Sequence, residues 1–367
     1  MNLGVLTSSR ADFGIYLSLL RLLEASDKFD LTIIAFGTHV SKTHGETISE
    51  IRAAGFVKID SIPSLLADDS PKGISASYAL TNLKFSEYWS KTKYDLVLCL
   101  GDRFEMQAAV QAGIPLGVKY AHFHGGETTE GAIDNIYRHQ ITLASEIHFT
   151  STAPYAKRVA EIIGFDENIF NIGSLSLDNL EELDLPQIET LKLHFGIPEG
   201  DYILATFHPE TVAFDENLLY SDEMCRALEL LSKSINIVIT MPNADTMGSL
   251  YRQKLIRLKE RLRSSLTLVE NFGKLNYFSA LKSTRLVLGN SSSGIIEAAS
   301  FNKYVVNVGD RQKGRIQSEN VVNSAFDSAS IVQAVEETLM LAAYNGENAY
   351  KKGQAAQNTL KILESLA

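Results

Sequence analysis

The sequence predicts an α/β protein made of two doubly wound units, each a parallel sheet with helices on both faces. Three observations carry this. Apolar runs of strand length alternate with amphipathic stretches of helix length. The strand candidates are apolar almost throughout, as strands buried on both faces are. The alternation pauses between Asn171 and Asp201 and then restarts, which sets units near 1–175 and 180–345. A chain of 367 residues, 45% hydrophobic and 21% charged, is long enough for two full cores.

The elements follow in order. "NLGVLT" opens the first unit as a strand, and a helix is expected from about Phe13 to Ser26. "LTIIAFGT" precedes the helical "GETISEIRAAGF". "YDLVLCLGD" precedes "RFEMQAAVQAG", "PLGVKYAHFHGGE" precedes "DNIYRHQITLAS", and "EIHFTST" precedes "PYAKRVAEIIGF". The segment 171–201 reads as a linker plus a capping helix. The second unit begins at "YILATFHPE", with a helix from about Asn217 to Ser232. "SINIVITMP", a basic helix near Leu250–Ser264, "LTLVENF", "RLVLGNSSSG" and "KYVVNVGDRQ" follow. A final helix, about 347–366, can close either unit, and the first is the candidate.

Composition narrows the function. No apolar run reaches the 18 residues of a membrane span, and the N-terminus reads as a strand rather than a signal peptide. Cys99 and Cys225 sit in apolar surroundings and make no disulfide framework. A cytoplasmic protein with reduced core thiols is expected. The formal net charge of -10 argues against nucleic acid as a partner. It leaves room for a small anion, because a few focused arginines outweigh a distant negative surface.

The polar clusters stand just after strand candidates: "SSRADFG", "GTHVSKTHG", "GDRFE", "HGGE", "FHPE", "MPNAD", "GNSSSG" and "GDRQKGR". Two doubly wound units place such strand ends around a ligand cleft between them. In "LGNSSSGIIEAAS", Ser291, Ser292, Ser293 and Gly294 open a helix. They fit either a phosphate site or an ordinary serine cap. Glu297 is expected in that helix's first turn, either favoured by the dipole or accepting from ribose hydroxyls. Arg10, Arg103 and Arg311 each follow a strand end, and guanidinium forks suit phosphate oxygens. Arg103 also has Asp102 and Glu105 beside it, so a surface ion pair competes. His208 follows a strand and precedes Pro209, as a cleft residue or a satisfied core histidine.

His122 and His124 alternate along a strand and are expected to face one way. An H-x-H pair can ligate zinc, but no Cys and no further His except His139 lies nearby, so no metal is expected. The lack of G-x-G-x-x-G after the first strand argues against a nicotinamide cofactor, and the lack of a Walker A sequence argues against ATP hydrolysis. Asp134 and Arg138, at i,i+4 on a helix, fit a plain ion pair as well as a site. Gly125 and Gly126 bring the backbone at Glu127 close to whatever it faces, and Thr128 and Thr129 surround it with hydroxyls.

Together, "SSRADFG", "GDRFE", "HGGE…GAIDNIYRH", "FHPET", "NAD", "GNSSSGIIE" and "GDRQKGR", in order from about residue 7 to 315, resemble the hydrolysing UDP-N-acetylglucosamine 2-epimerases of bacterial sialic-acid-type pathways. The resemblance implies a GT-B-like fold, a homodimer and no cofactor. It implies conversion of UDP-N-acetylglucosamine and water to N-acetylmannosamine and UDP, by anti-elimination to a 2-acetamidoglucal and rehydration. Arg10, Arg103, His208, Asn243, Ser291, Ser292, Glu297 and Arg311 would bind the nucleotide, with Glu105, Arg138, Ser293 and Gly294 beside them. Asp102, Glu127 and Asp134 would serve the sugar, with His208 near the glycosidic oxygen. The family pattern often has a second acid after Asp134. Here Asn135 fills that place and cannot exchange a proton. A related branch acts on UDP- or GDP-linked N,N'-diacetylbacillosamine, towards legionaminic acid. A GT-B glycosyltransferase and a non-catalytic sugar-nucleotide regulator are the readings from other classes.

Overall fold

The computed structural model describes residues 1–41, 46–242 and 246–367. Asn243, one of the nucleotide-binding candidates, lies outside them.

The first unit comprises Met1–Glu127, Asp134–Leu180 and Tyr350–Ala367. Its strands are β1 (Asn2–Thr7), β2 (Asp30–Phe36), β3 (Ile59–Ile62), β4 (Leu96–Leu100), β5 (Tyr120–Phe123), β6 (Ile147–Thr150) and β7 (Ile169–Asn171). They pair in parallel in the order β3-β2-β1-β4-β5-β6-β7. That order reverses direction between β1 and β4, where doubly wound sheets leave room for ligands beyond the strand ends. The central strands are buried along their whole length, as their unbroken apolar runs require.

The helices of this unit are α1 (Arg10–Ala25), α2 (Ile48–Ala53), α3 (Pro71–Lys91), α4 (Phe104–Gly113), α5 (Asp134–Leu143) and α6 (Ala153–Ile163). Helix α1 buries Phe13, Tyr16, Leu19, Leu20 and Leu23, a stripe at three- and four-residue spacing. Each such side chain contributes roughly 1.5–3 kcal/mol by leaving water. Hydrophobic periodicity passes over β3 and α3. The buried face of α3 begins with Gly73, Ser77 and Thr81 and turns apolar only at Phe85 and Trp89. Its start is legible instead in the cap: Ser70 accepts from the Gly73 N–H at 3.0 Å, and Pro71 stands in the first turn.

The second unit comprises Thr128–Ile133 and Glu181–Ala349. It contains α7 (Ile188–Phe195), β8 (Tyr202–Thr206), α8 (Asn217–Leu231), β9 (Asn236–Thr240), α9 (Gly248–Leu262), β10 (Leu266–Val269), α10 (Lys274–Ser283), β11 (Leu286–Gly289), α11 (Ser292–Ile296), β12 (Val305–Val308), β13 (Val321–Ser324) and α12 (Ser328–Leu339). The parallel order β10-β9-β8-β11-β12-β13 repeats the winding of the first sheet. Elements α10, β13 and α12 are not among those read from the sequence. Strand β13 is a half-buried edge, and α12 is announced by Asp327, whose carboxylate caps the Ser330 N–H at 2.9 Å. At Gly289 the backbone takes φ +125°, and a Cβ there would collide with the Thr206 carbonyl. Strand β11 therefore ends on a residue that must be glycine.

Two segments leave sequence order. The chain returns to the first unit at Tyr350, and the last helix, α13 (Ala355–Leu366), packs on α1 with Glu364 accepting from Ser26 Oγ at 3.0 Å. Between Glu127 and Asp134, six residues group with the second unit. The Glu130 N–H donates to Lys313 O at 2.9 Å, the Gly131 N–H to Asp310 O at 3.1 Å, and the Ile133 N–H to Thr211 Oγ1 at 2.8 Å. A Cβ on Gly131 would stand 2.5 Å from the Asp310 carbonyl, so only glycine lets this segment lie flat there.

Candidate active site

The first unit gathers acidic and imidazole groups at the ends of β4, β5 and β6. Strand β5 stops at Phe123, and His124 takes left-handed backbone with φ +65°. The expected alternation of His122 and His124 along one strand therefore fails, and the two rings go different ways. His122 is fully buried. Its Nε2 lies 2.8 Å from Gly101 O and its Nδ1 3.1 Å from Thr142 Oγ1. Both nitrogens are thus engaged, and burial holds its pKa down to about 3. No cluster of three or more potential metal ligands occurs among the described residues.

His124 Nδ1 instead lies 2.9 Å from Glu127 Oε1, and the Ser151 hydroxyl donates to the same oxygen at 2.8 Å. Glu127 is 1% exposed. The Gly-Gly turn before it serves packing on both sides. A Cβ on Gly126 would strike the Tyr155 carbonyl of α6, and one on Gly125 would lie 3.1 Å from His122 Nδ1 and Thr142 Oγ1. Of the neighbouring threonines, Thr128 packs instead against Gly314 in the second unit.

Arg138 on α5 is 0% exposed. It donates to the Glu127 carbonyl at 2.9 Å, to Asn135 Oδ1 at 3.4 Å, and to Asp102 in an ion pair. Arg138 is therefore the strut that joins Asp102 at the end of β4 to the backbone of Glu127. Asp134 is the first residue of α5 and half-buried. Arg103, N-cap of α4, donates from Nε to Glu105 Oε1 at 2.6 Å, and Glu105 is buried. That pairing orients the arginine rather than removing it from use, since Arg103 keeps about a fifth of its side chain exposed, 21%. Arg10 opens α1, and Asp12 shapes the turn before it by accepting from the Ser8 N–H at 2.7 Å and from Ser9 Oγ. Next to Arg138, His139 is half-buried, and burial followed by the Arg138 and Arg158 charges lowers its pKa to about 4.

The second unit arranges hydroxyl, amide and cationic groups at the ends of β8, β11 and β12. Asn290 is the organiser. It accepts from the His208 N–H at 2.7 Å and donates to the His208 carbonyl at 2.8 Å. Its own carbonyl accepts from Arg311 Nη1 at 3.2 Å and Gln312 Nε2 at 2.9 Å. Buried Glu210 holds the same loop, accepting from the N–H groups of Asp310 and Arg311 at 2.7 and 3.1 Å. Burial raises its pKa and those two hydrogen bonds partly oppose the rise. His208 and Arg311 are thus fixed through Asn290.

Ser291 is the N-cap of α11, accepting from the Ser293 N–H at 3.4 Å. Helix α11 has five residues, so its dipole is small. Glu297 stands at its C-terminal end rather than in its first turn, so no dipole favours its charge. Instead Ser293 Oγ lies 2.5 Å from Glu297 Oε2 and 2.7 Å from the Tyr277 hydroxyl. Gly294 faces β12, where a Cβ would lie 3.0 Å from Val305 Cγ1, which is a packing role. Within the first unit Asp102, Glu127 and Arg138 are joined by hydrogen bonds; within the second, His208 and Arg311 are. Sequence reasoning passed over Ser151, Asp12, Asn290 and Glu210. Each stands shortly after a strand end, and all but Ser151 lie inside the motifs "SSRADFG", "GNSSSGIIE" and "FHPET" without having been given a role.

The model of the UDP-N-acetylglucosamine 2-epimerase family matches residues 21–364 of the chain. The chain is 31% identical over 361 residues to the UDP-N,N'-diacetylbacillosamine 2-epimerase (hydrolyzing) of Legionella pneumophila, covering 98% of this chain and 94% of that one. It is 27% identical to the UDP-N-acetylglucosamine 2-epimerase of Neisseria meningitidis, covering 98% and 93%. The structure of the Methanocaldococcus jannaschii UDP-GlcNAc 2-epimerase, in complex with UDP-GlcNAc and UDP, superposes with a TM-score of 0.82 over the whole of both chains at 18% identity. At that identity the likeness establishes the fold: α/β, GT-B-like, with two Rossmann-like sheets.

Proposed function

The chain belongs to the UDP-N-acetylglucosamine 2-epimerase family, and from that premise we propose that it is a hydrolysing 2-epimerase of a nucleotide-linked N-acetylated amino sugar. UDP-N-acetylglucosamine is the first candidate, giving N-acetylmannosamine and UDP. The observation that supports the chemistry is Glu127, a buried carboxylate aligned by two donors on one oxygen and backed by the Asp102–Arg138 pair.

The hydrogen on C2 of the sugar has no adjacent carbonyl and is a weak acid. It becomes removable as the C1–O bond to the diphosphate breaks and C1 gains positive charge. In this reading Arg10, Arg103 and Arg311 take the charge of the departing diphosphate, and Glu297 accepts from ribose hydroxyls. Glu127 takes the C2 proton, and the electron pair forms the C1–C2 double bond of the 2-acetamidoglucal. Asp134, which enters the cycle as the carboxylic acid, then delivers its proton to the opposite face of C2. Water adds to C1 and gives its proton to the Asp134 carboxylate so formed, and Glu127 releases the C2 proton to solvent. Two acid/base groups, one per face, are what inversion at C2 demands. Asp102 holds Arg138 and with it the backbone of Glu127. No step transfers a hydride or needs a carbonyl cofactor. A homodimer, as the resemblance implies, completes this reading, and light scattering tests it.

A second substrate, UDP- or GDP-linked N,N'-diacetylbacillosamine, is favoured by one finding: relatives bearing that activity in their names are 31% and 32% identical to this chain. Proton NMR in D2O with each of the three nucleotide sugars separates them. Release of a manno-configured sugar carrying deuterium at C2 is the expected result. Release of unepimerised sugar, as a glycosyltransferase would give by hydrolysing its donor, would sink the proposal. Glu127→Gln should abolish turnover with UDP affinity unchanged. Asp134→Asn should do the same; lost stability with full specific activity would make Asp134 a helical ion-pair partner only.

A further inference from the structure

One of the two groups that align Glu127 has a second polar atom still to place. With Nδ1 of His124 against the Glu127 carboxylate, the ring presents N–H there, and a neutral imidazole then carries its lone pair on Nε2. His124 is 8% exposed, and its Nε2 is buried with no hydrogen-bond partner among the described residues. Such an acceptor is costly to leave unmatched. The residue also holds left-handed backbone, φ +65°, which His, like Asn and Asp, adopts more readily than other side-chain-bearing residues, and which turns the ring out of the strand. An unmatched buried acceptor directly beside the proposed base is the signature of a position whose partner arrives with the ligand. A lone pair accepts, so the arriving group must be a donor. The donors a sugar carries in quantity are hydroxyls.

We propose that His124 is a substrate-contacting residue with two separate duties: Nδ1–H aligns Glu127, and Nε2 accepts a hydrogen bond from one hydroxyl of the bound sugar. This makes His124 a determinant of which amino sugar is accepted, because a sugar without that hydroxyl leaves Nε2 unmatched. The inference rests on the reading of the Glu127 pocket as the sugar site.

The test uses His124→Asn. Asparagine tolerates the left-handed backbone, and its amide N–H can replace Nδ1–H towards Glu127, so the change removes Nε2 selectively. Wild type and variant are compared on the nucleotide sugar that wild type turns over, and on its analogues each lacking one sugar hydroxyl. The variant should lose roughly 10–100-fold in kcat/KM on the full substrate. On one deoxy analogue the two proteins should perform alike, because the contact is absent from both. Equal weakening of the variant on every analogue would mean that only Glu127 alignment was lost, and overturns the contact. So does a variant within twofold of wild type on the full substrate. If the variant does not fold, wild type alone decides: indifference to removal of every hydroxyl overturns the proposal. Absence of any turnover by wild type overturns the parent reading together with this one, whereas turnover without hydroxyl discrimination overturns this one alone.

Discussion

Lowering the pH from 7.5 to 5.5 should weaken the first unit by about 2.7 kcal/mol through two histidines. His122 on β5 and His148 on β6 are neighbours in the sheet register, and both are 0% exposed. Burial lowers their pKa values to about 3 and about 4. An unfolded histidine titrates near 6.5. Between the two values the unfolded chain binds protons that the folded chain refuses, so folding is favoured above pH 6.5 and loses ground as pH falls towards 4. One unit below 6.5, each residue has given up about 1.4 kcal/mol. That figure depends on the unfolded value alone, provided the folded value stays well under 5.5. The assay is urea unfolding followed by fluorescence of Trp89, the single tryptophan, which is buried in the first unit. Trp89 reports from the first unit, whereas Glu210, whose raised pKa acts in the opposite direction, lies in the second. His148→Leu should remove about 1.4 kcal/mol of the pH dependence, half of the share carried by these two histidines. Equal stability at the two pH values, or an unchanged slope in the variant, would refute the linkage.

Other perturbations give equally direct outcomes. Gly289→Ala places a Cβ into the Thr206 carbonyl at a left-handed φ, and should cost the second unit at least about 2–3 kcal/mol in calorimetric melts. Arg138→Met removes a fully buried guanidinium and strands Asp102, which keeps a quarter of its side chain exposed, 25%. Trp89-detected urea melts should show a loss of roughly 2–4 kcal/mol, below the full penalty for a buried pair. Gly131→Ala must push back the Asp310 loop and should lower the thermal midpoint through a cost of roughly 1–3 kcal/mol.

Much of the architecture was legible because it rests on one-dimensional signals. Strands such as "LVLCL" and "YILAT" are apolar throughout, and only a sheet covered on both faces can use them. Helix α3 escaped because its buried face starts with small and polar residues, which hydrophobic periodicity does not register. The position of Glu297 was misjudged because a helix only five residues long gives its end no sequence mark.

The sequence by itself determined the two-unit α/β plan, the clustering of polar residues after the strands, and the family pattern that singled out Glu127, Asp134 and the arginines. The first two follow from local composition and spacing, and the third rests on the resemblance to the family. Only the tertiary structure decided that His122 and His124 part company, since that depends on one residue's left-handed backbone at the end of β5. It alone showed that Ser151 reaches Glu127 across 24 positions of the chain, and that Asp102 reaches Arg138 across 36. It alone assigned the six residues between Glu127 and Asp134 to the second unit. The reason is physical. Which buried donor meets which buried acceptor is set by the order of strands in the sheet, and a local pattern contains no information about that order.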